Sequence, residues 1–136
     1  MTGISTKEAI VTDMGTFRTD IQIENPAAPG RRITITAALV DTGSELTWVP
    51  AEQLESLGIE RAKQLRFRLA DGRVLERSVG GARLYAVGTS TWDDVVFAEP
   101  GDSVLLGARS LEGLNVRVDP MRKALVDAGP APAAAA

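Results

Sequence analysis

A chain of 136 residues with 15 Lys and Arg against 18 Asp and Glu, net charge −3, is long enough for one well-cored domain and too short for two. It contains no Cys and no His, which removes Ser–His and Cys–His nucleophiles, disulfide frameworks and nearly every zinc site, and leaves carboxylates for acid–base chemistry. With no basic block, no membrane-length apolar run and no charged-then-apolar leader, the expectation is a cytoplasmic protein that engages neither nucleic acid nor membrane.

Residues 1–16 read as a loose arm or a short strand around Ala9-Ile10-Val11, ahead of a domain expected over residues 17–127. Phe17-Arg18-Thr19-Asp20-Ile21-Gln22-Ile23 alternates and predicts a half-buried strand. A Pro- and Gly-rich turn, Asn25 to Gly30, leads to Ile33-Thr34-Ile35-Thr36-Ala37-Ala38-Leu39-Val40. That run alternates at first and then becomes wholly apolar, as a strand entering a core does. It ends at Asp41-Thr42-Gly43-Ser44, which on residue types alone is either a polar turn or a presented carboxylate. Next, Pro near the start, early acids and a stop at Gly58 predict a short helix with Leu54 and Leu57 inward.

Gln64 to Leu69 alternates, Ala70-Asp71-Gly72-Arg73 turns, and Val74 to Val79 returns; Asp-Gly between alternating runs is a strong hairpin signal. Gly80-Gly81 predicts a bend or bulge. Arg83 to Val87 and Trp92 to Phe97 read as strands joined through Gly88-Thr89-Ser90. Glu99-Pro100-Gly101-Asp102 is a second turn, leading into Val104-Leu105-Leu106-Gly107 and a short helix from Arg109 to Leu114 with Leu111 and Leu114 inward. Val116-Arg117-Val118 and Ala124-Leu125-Val126 are expected to pair, and residues 128–136 to form a disordered Ala/Pro-rich tail. Trp48 and Tyr85 read as packing residues. The fold class is all-β with one or two short helices.

Asp41-Thr42-Gly43-Ser44 after its apolar strand, together with Val104-Leu105-Leu106-Gly107-Ala108-Arg109, resembles the two motifs of single-domain, retropepsin-like aspartic proteases. The segment Asp41 to Pro50 is also similar to the stretch after the first catalytic Asp of pepsin-type enzymes. The resemblance spans residues 17–126. It implies a closed acid-protease β-barrel lobe in which Leu105, Leu106 and Gly107 pack across the catalytic loop in a ψ-shaped arrangement. It implies Asp41 as the catalytic carboxylate, with no cofactor and no metal. Peptide hydrolysis by that route holds a water between two carboxylates about 3 Å apart, which share a proton because they cannot both ionise cheaply. Asp41 alone is followed by Thr-Gly, so the second carboxylate is expected from Asp41 of an identical subunit in a homodimer.

By the same resemblance, the Thr42 hydroxyl bonds to the partner loop, Gly43 permits close backbone approach, and Ser44 donates to the outer oxygen of Asp41. Residues 1–16 become an arm or interface strand, with an ordinary edge strand as the alternative. Leu69, Ala70, Asp71, Gly72, Arg73 and Val74 become the flap that covers a peptide or protein substrate; a plain surface hairpin is the other reading. The tip is charged where retroviral flaps are glycine-rich and apolar, and Arg109 is a candidate for an inter-subunit ion pair. The expected activity is an aspartic endopeptidase. The alternatives are a non-catalytic dimeric peptide-binding or scaffold module on the same fold, and a monomeric all-β binding domain with an incidental Asp41 turn.

Overall fold

The computed structural model describes residues 17–133, so the expected N-terminal arm lies outside the described residues. Among the described residues, nine strands and two short helices follow in order: β1 (Arg18–Glu24), β2 (Arg32–Val40), β3 (Thr47–Pro50), α1 (Ala51–Ser56), β4 (Lys63–Arg68), β5 (Val74–Ala86), β6 (Thr89–Ala98), β7 (Leu105–Leu106), α2 (Ala108–Gly113), β8 (Val116–Asp119) and β9 (Ala124–Asp127). Seven strands form one sheet in the order β1-β2-β7-β3-β6-β5-β4, and β1 also pairs with β5. The second pairing closes a ring of six strands, with β4 attached to the portion of β5 that the ring leaves free. The all-β expectation holds. Among the described residues no helix is long and apolar enough to cross a membrane.

The ring encloses a core built from alternate residues of each strand: Ile21 and Ile23, Ile35, Ala38 and Val40, Val49, Leu84, Val95 and Phe97, and Leu106. α1 caps one part of it with Leu54, and α2 another with Leu111 and Leu114. A second, smaller cluster lies on the other side of the β3–β7–β6 sheet: Leu46, Trp48, Val79, Val96, Ala98 and Leu105, with Leu39, Leu65 and Phe67 packed against it.

One irregularity decides which cluster each end of β2 joins. The β1–β2 register slips between Ile21↔Ile35 and Thr19↔Ala38, so β2 carries an extra residue. Ala37 sits there at φ 57; its N–H donates to Asp20 Oδ1 at 2.8 Å and its carbonyl accepts from Arg18 Nη1 at 3.1 Å. Before the bulge the odd-numbered Ile33 and Ile35 face the core; after it the even-numbered Ala38 and Val40 do. Past the exposed Ala37, the apolar run Ala38-Leu39-Val40 meets apolar neighbours on both faces, with Leu39 half-buried and turned to the second cluster.

No bulge is found at Gly80-Gly81. β5 pairs with β6 without a slip from Val79↔Val96 to Ala86↔Thr89. Gly80 is needed instead for close approach, since a Cβ there would collide with the Glu60 carbonyl. The following turn is also tighter than read from sequence: β5 ends at Ala86, and Val87 (φ 44) with Gly88 (φ 80) makes a two-residue connection. The expected C-terminal hairpin forms, with Val118↔Leu125 in register. Beyond it, Ala128 N–H donates to Asn115 O, and Asn115 Nδ2 donates to Gly129 O.

Candidate active site

Asp41 is the first residue past β2, and the ladder carries on through it. Leu39 and Val40 pair in parallel with Leu105 and Leu106, Trp48 pairs antiparallel with Leu105, and Asp41 N–H donates to Leu106 O at 3.0 Å. The two-residue strand β7 thus lies between the strand entering the Asp41 loop and the strand leaving it. The loop itself is a tight turn: Ser44 N–H donates to Asp41 O at 3.2 Å, and Gly43 N–H donates to Asp41 Oδ1 at 2.9 Å. Asp41 is half-buried, while Thr42 and Gly43 are exposed.

The stretch after β7 grips the far side of the same loop. Ala108 N–H donates to Ser44 O at 2.8 Å and Arg109 N–H to Glu45 O at 3.0 Å. Gly107, buried at φ −96, makes this possible by having no side chain: a Cβ there would lie 2.6 Å from Leu46 C and 2.9 Å from Ser44 O. Its N–H donates to Thr47 Oγ1 at 3.0 Å. Leu105, Leu106 and Gly107 are all buried, and they join the Asp41 loop as one hydrogen-bonded unit.

Two residues with expected contacts bond elsewhere within the single chain. Ser44 Oγ donates to Leu46 O at 2.8 Å rather than to the Asp41 carboxylate, because a backbone carbonyl two residues on is nearer to hand. Arg109 reaches Asp93 of its own chain, Nη2 to Oδ1 at 3.2 Å. Asp93 and Ser110, joined at 2.9 Å, were not singled out from sequence. Their signal was available as polar residues placed at inward positions of an apolar strand and helix.

Leu39 and Asp41 stand two apart, on the face of β2 opposite Val40, so the carboxylate shares its side of the sheet with Leu39, Leu105 and Trp48. The β4–β5 hairpin folds over that side. Leu65 and Phe67 face inward, and the Phe67 ring meets Trp48 edge-to-face with centroids 5.1 Å apart. Arg77 on the same inner face holds Asp102 through two bonds, Nε to Oδ2 at 2.7 Å and Nη2 to Oδ1 at 3.0 Å. Those bonds keep the Asp102 carboxyl below the usual carboxylate range against the opposing effect of burial. Asp102 also accepts Glu99 N–H, so the hairpin is tied to the turn that feeds β7.

The hairpin's outer end is self-contained. Leu69 N–H donates to Arg73 O, Gly72 takes φ 92, and Asp71 Oδ1 accepts Arg73 N–H at 2.9 Å while Oδ2 meets Arg73 Nε at 2.8 Å. The Arg73 backbone and guanidinium hold Asp71 below its ordinary range. Leu69 is half-buried, and Ala70 through Val74 are exposed.

Two surface depressions, of about 450 Å³ beside α1 and the Glu99–Asp102 turn and about 270 Å³ between Val87 and the β8–β9 hairpin, lie away from Asp41. In a single chain Asp41 sits at an open surface. One carboxylate on a loop of this kind can orient a water or accept a proton; a second is needed to donate one at the same time. Among the described residues no group of three or more His, Cys, Asp or Glu is arranged to hold a metal ion.

A search of curated proteins gives no match. A family model described as aspartyl protease matches residues 30–110, more than half of the chain and the whole stretch from β2 through the start of α2. With its closed all-β lobe and the Asp41 loop inside the matched region, the chain belongs to the aspartyl protease family, of retropepsin-like type.

Proposed function

We propose that the protein is a homodimeric aspartic endopeptidase of the cytoplasm, in which Asp41 from each of two identical chains forms the catalytic pair. The observation that carries this reading is the arrangement of Asp41: one half-buried carboxylate at the surface, on a loop fixed by Leu106 and Gly107, with no second Asp-Thr-Gly in the chain. A two-fold axis passing beside that loop would set the two carboxylates together, and a closed symmetric dimer is the common form of such association. One carboxylate then takes a proton from the water between them, and the other supplies one to the carbonyl oxygen or leaving nitrogen.

The β4–β5 hairpin is the flap in this reading, with Leu69 to Val74 as its free end. The apolar side it covers, Leu39, Trp48 and Leu105, would receive side chains of an extended peptide. Thr42, which is exposed, would meet the partner's loop.

The test is a digest of a diverse peptide library by wild type and by Asp41→Asn from pH 4 to 7.5, read by mass spectrometry, with sedimentation run on both. Cleavage by the wild type alone, from a dimeric sample, is expected. Equal cleavage by the variant refutes the role of Asp41. A dimer that binds peptides and cleaves none transfers the assignment to the non-catalytic peptide-binding module.

A further inference from the structure

Thr91, Asp93, Val95 and Phe97 share one face of β6, and Val95 and Phe97 are fully buried. Asp93 continues that face with a carboxylate only 5 % exposed. Both its oxygens are engaged: Oδ1 accepts Asp94 N–H at 2.8 Å and meets Arg109 Nη2 at 3.2 Å, and Oδ2 accepts Ser110 Oγ–H at 2.9 Å. From there a chain of buried groups runs toward the Asp41 loop. Ser110 Oγ lies 2.7 Å from Thr47 Oγ1, and Thr47 Oγ1 accepts Gly107 N–H at 3.0 Å. Thr47 and Ser110 are both fully buried.

Each hydroxyl has one proton to give, and an ionised carboxylate has none. With the Ser110 proton committed to Asp93, the proton between the two hydroxyls is that of Thr47. The lone pairs of Thr47 are then left to face Gly107 N–H. The direction of the bond between the two hydroxyls is thus set by the Asp93 acceptor, while Gly107 N–H is a donor in either arrangement.

We propose that Asp93 is a positioning residue for the Asp41 loop, acting through Ser110 and Thr47 on Gly107; the inference rests on reading Asp41 as the catalytic group. Gly107 stands between Leu106, whose carbonyl accepts Asp41 N–H, and Ala108, whose N–H donates to Ser44 O. A small shift of Gly107 is therefore a shift of the loop from both sides. Without the acceptor at position 93, Ser110 is free to turn its proton toward Thr47, and the chain loses its single orientation.

The experiment compares Asp93→Ala, Ser110→Ala and Asp93→Asn with wild type in the full chain. It reads kcat and KM on a peptide the wild type cleaves, and amide hydrogen exchange at Gly107, Ala108 and Arg109 against Ile21 and Ile35 in β1 and β2. Asp93→Ala and Ser110→Ala are expected to lower kcat about tenfold or more with KM changed less than about threefold. Exchange at residues 107–109 should quicken about tenfold while Ile21 and Ile35 stay within about threefold of wild type. Asp93→Asn keeps an oxygen for Ser110 but turns its amide N–H2 toward Asp94 N–H and the half-exposed Arg109, so its kcat should fall clearly less than that of Asp93→Ala.

Unchanged kcat in both Asp93→Ala and Ser110→Ala overturns the proposal. So does exchange that quickens equally everywhere, or an Asp93→Asn variant as slow as Asp93→Ala. Should the wild type cleave no peptide, the protease reading fails on its own. The exchange measurement then decides alone: local quickening at residues 107–109 upholds the positioning role, and uniform or absent change rejects it.

Discussion

Adding one methyl group at Gly107 should damage this molecule more than its size suggests. In Gly107→Ala the backbone itself is permissive at φ −96, so the cost is one of space. The new Cβ would sit 2.6 Å from Leu46 C and 2.9 Å from Ser44 O, both main-chain atoms that no side-chain rotation can move. Ordinary carbon–carbon contact begins near about 3.5 Å, so the β7–α2 segment and the Asp41 loop must part by roughly 0.9 Å. Three bonds span that seam at 2.8 to 3.0 Å: Ala108 N–H to Ser44 O, Arg109 N–H to Glu45 O and Gly107 N–H to Thr47 Oγ1. Stretched by that amount they are lost as hydrogen bonds, at about 1 kcal/mol each, or about 3 kcal/mol in total. For a chain of this length that is a fall in melting temperature of roughly 10 °C. Circular dichroism melts at one protein concentration measure it, with Gly81→Ala as the control. Gly81 lies in β5, where an added Cβ meets nothing within 4 Å, and its variant should melt within about 2 °C of wild type. A Gly107→Ala protein melting beside that control would show that the close approach of the two segments does not constrain the loop.

Asp41→Asn should abolish turnover yet melt within about 2 °C of wild type, because the amide oxygen still accepts Gly43 N–H in the turn; a melt lowered by 5 °C or more would contradict this. Asp102 has its folded carboxyl held below its unfolded value of about 3.9, so its stabilisation is full above that pH and disappears as pH falls through the lower folded value. Urea midpoints of wild type should therefore exceed those of Asp102→Asn at pH 6 and converge with them toward pH 2; parallel curves would contradict the pairing with Arg77. Phe67→Ala removes the edge-to-face contact with Trp48, about 1 kcal/mol beyond the lost area. Proteolytic nicking within residues 63–79 should accelerate at least fivefold, and an unchanged nicking rate would show that Phe67 does not hold the hairpin down.

Much of the framework follows from local pattern. Alternation located β1 and β4, Asp71-Gly72 located the hairpin between β4 and β5, and Pro50 with Gly58 bracketed α1. The insertion of β7 between β2 and β3 had no local signal, since a two-residue strand has no period; resemblance alone suggested it. The bulge at Ala37 escaped because its support comes from Asp20 and Arg18 on another strand. Gly80 shows the opposite error. A glycine pair in a strand reads as a bend, and only the position of the Glu60 carbonyl shows that absence of a side chain was the requirement. For Ser44 and Arg109, residue type gave the ability to bond but not the partner, which is fixed by distance in the folded chain.

The placement of β7 also dictates when the Asp41 loop can exist. Gly107 meets Thr47 across 60 positions of chain, and the bonds at Asp41 N–H, Ser44 O and Glu45 O come from the same late segment. Closing so long a span demands that much of the barrel already be assembled, which delays the pairing relative to the local β4–β5 and β8–β9 hairpins. During synthesis, a nascent chain that has not yet extended through residue 109 lacks the partners for Asp41 N–H, Ser44 O and Glu45 O. The order of residues along the chain thus acts as a timer, ordering the Asp41 loop only after β1 through β7 have been made.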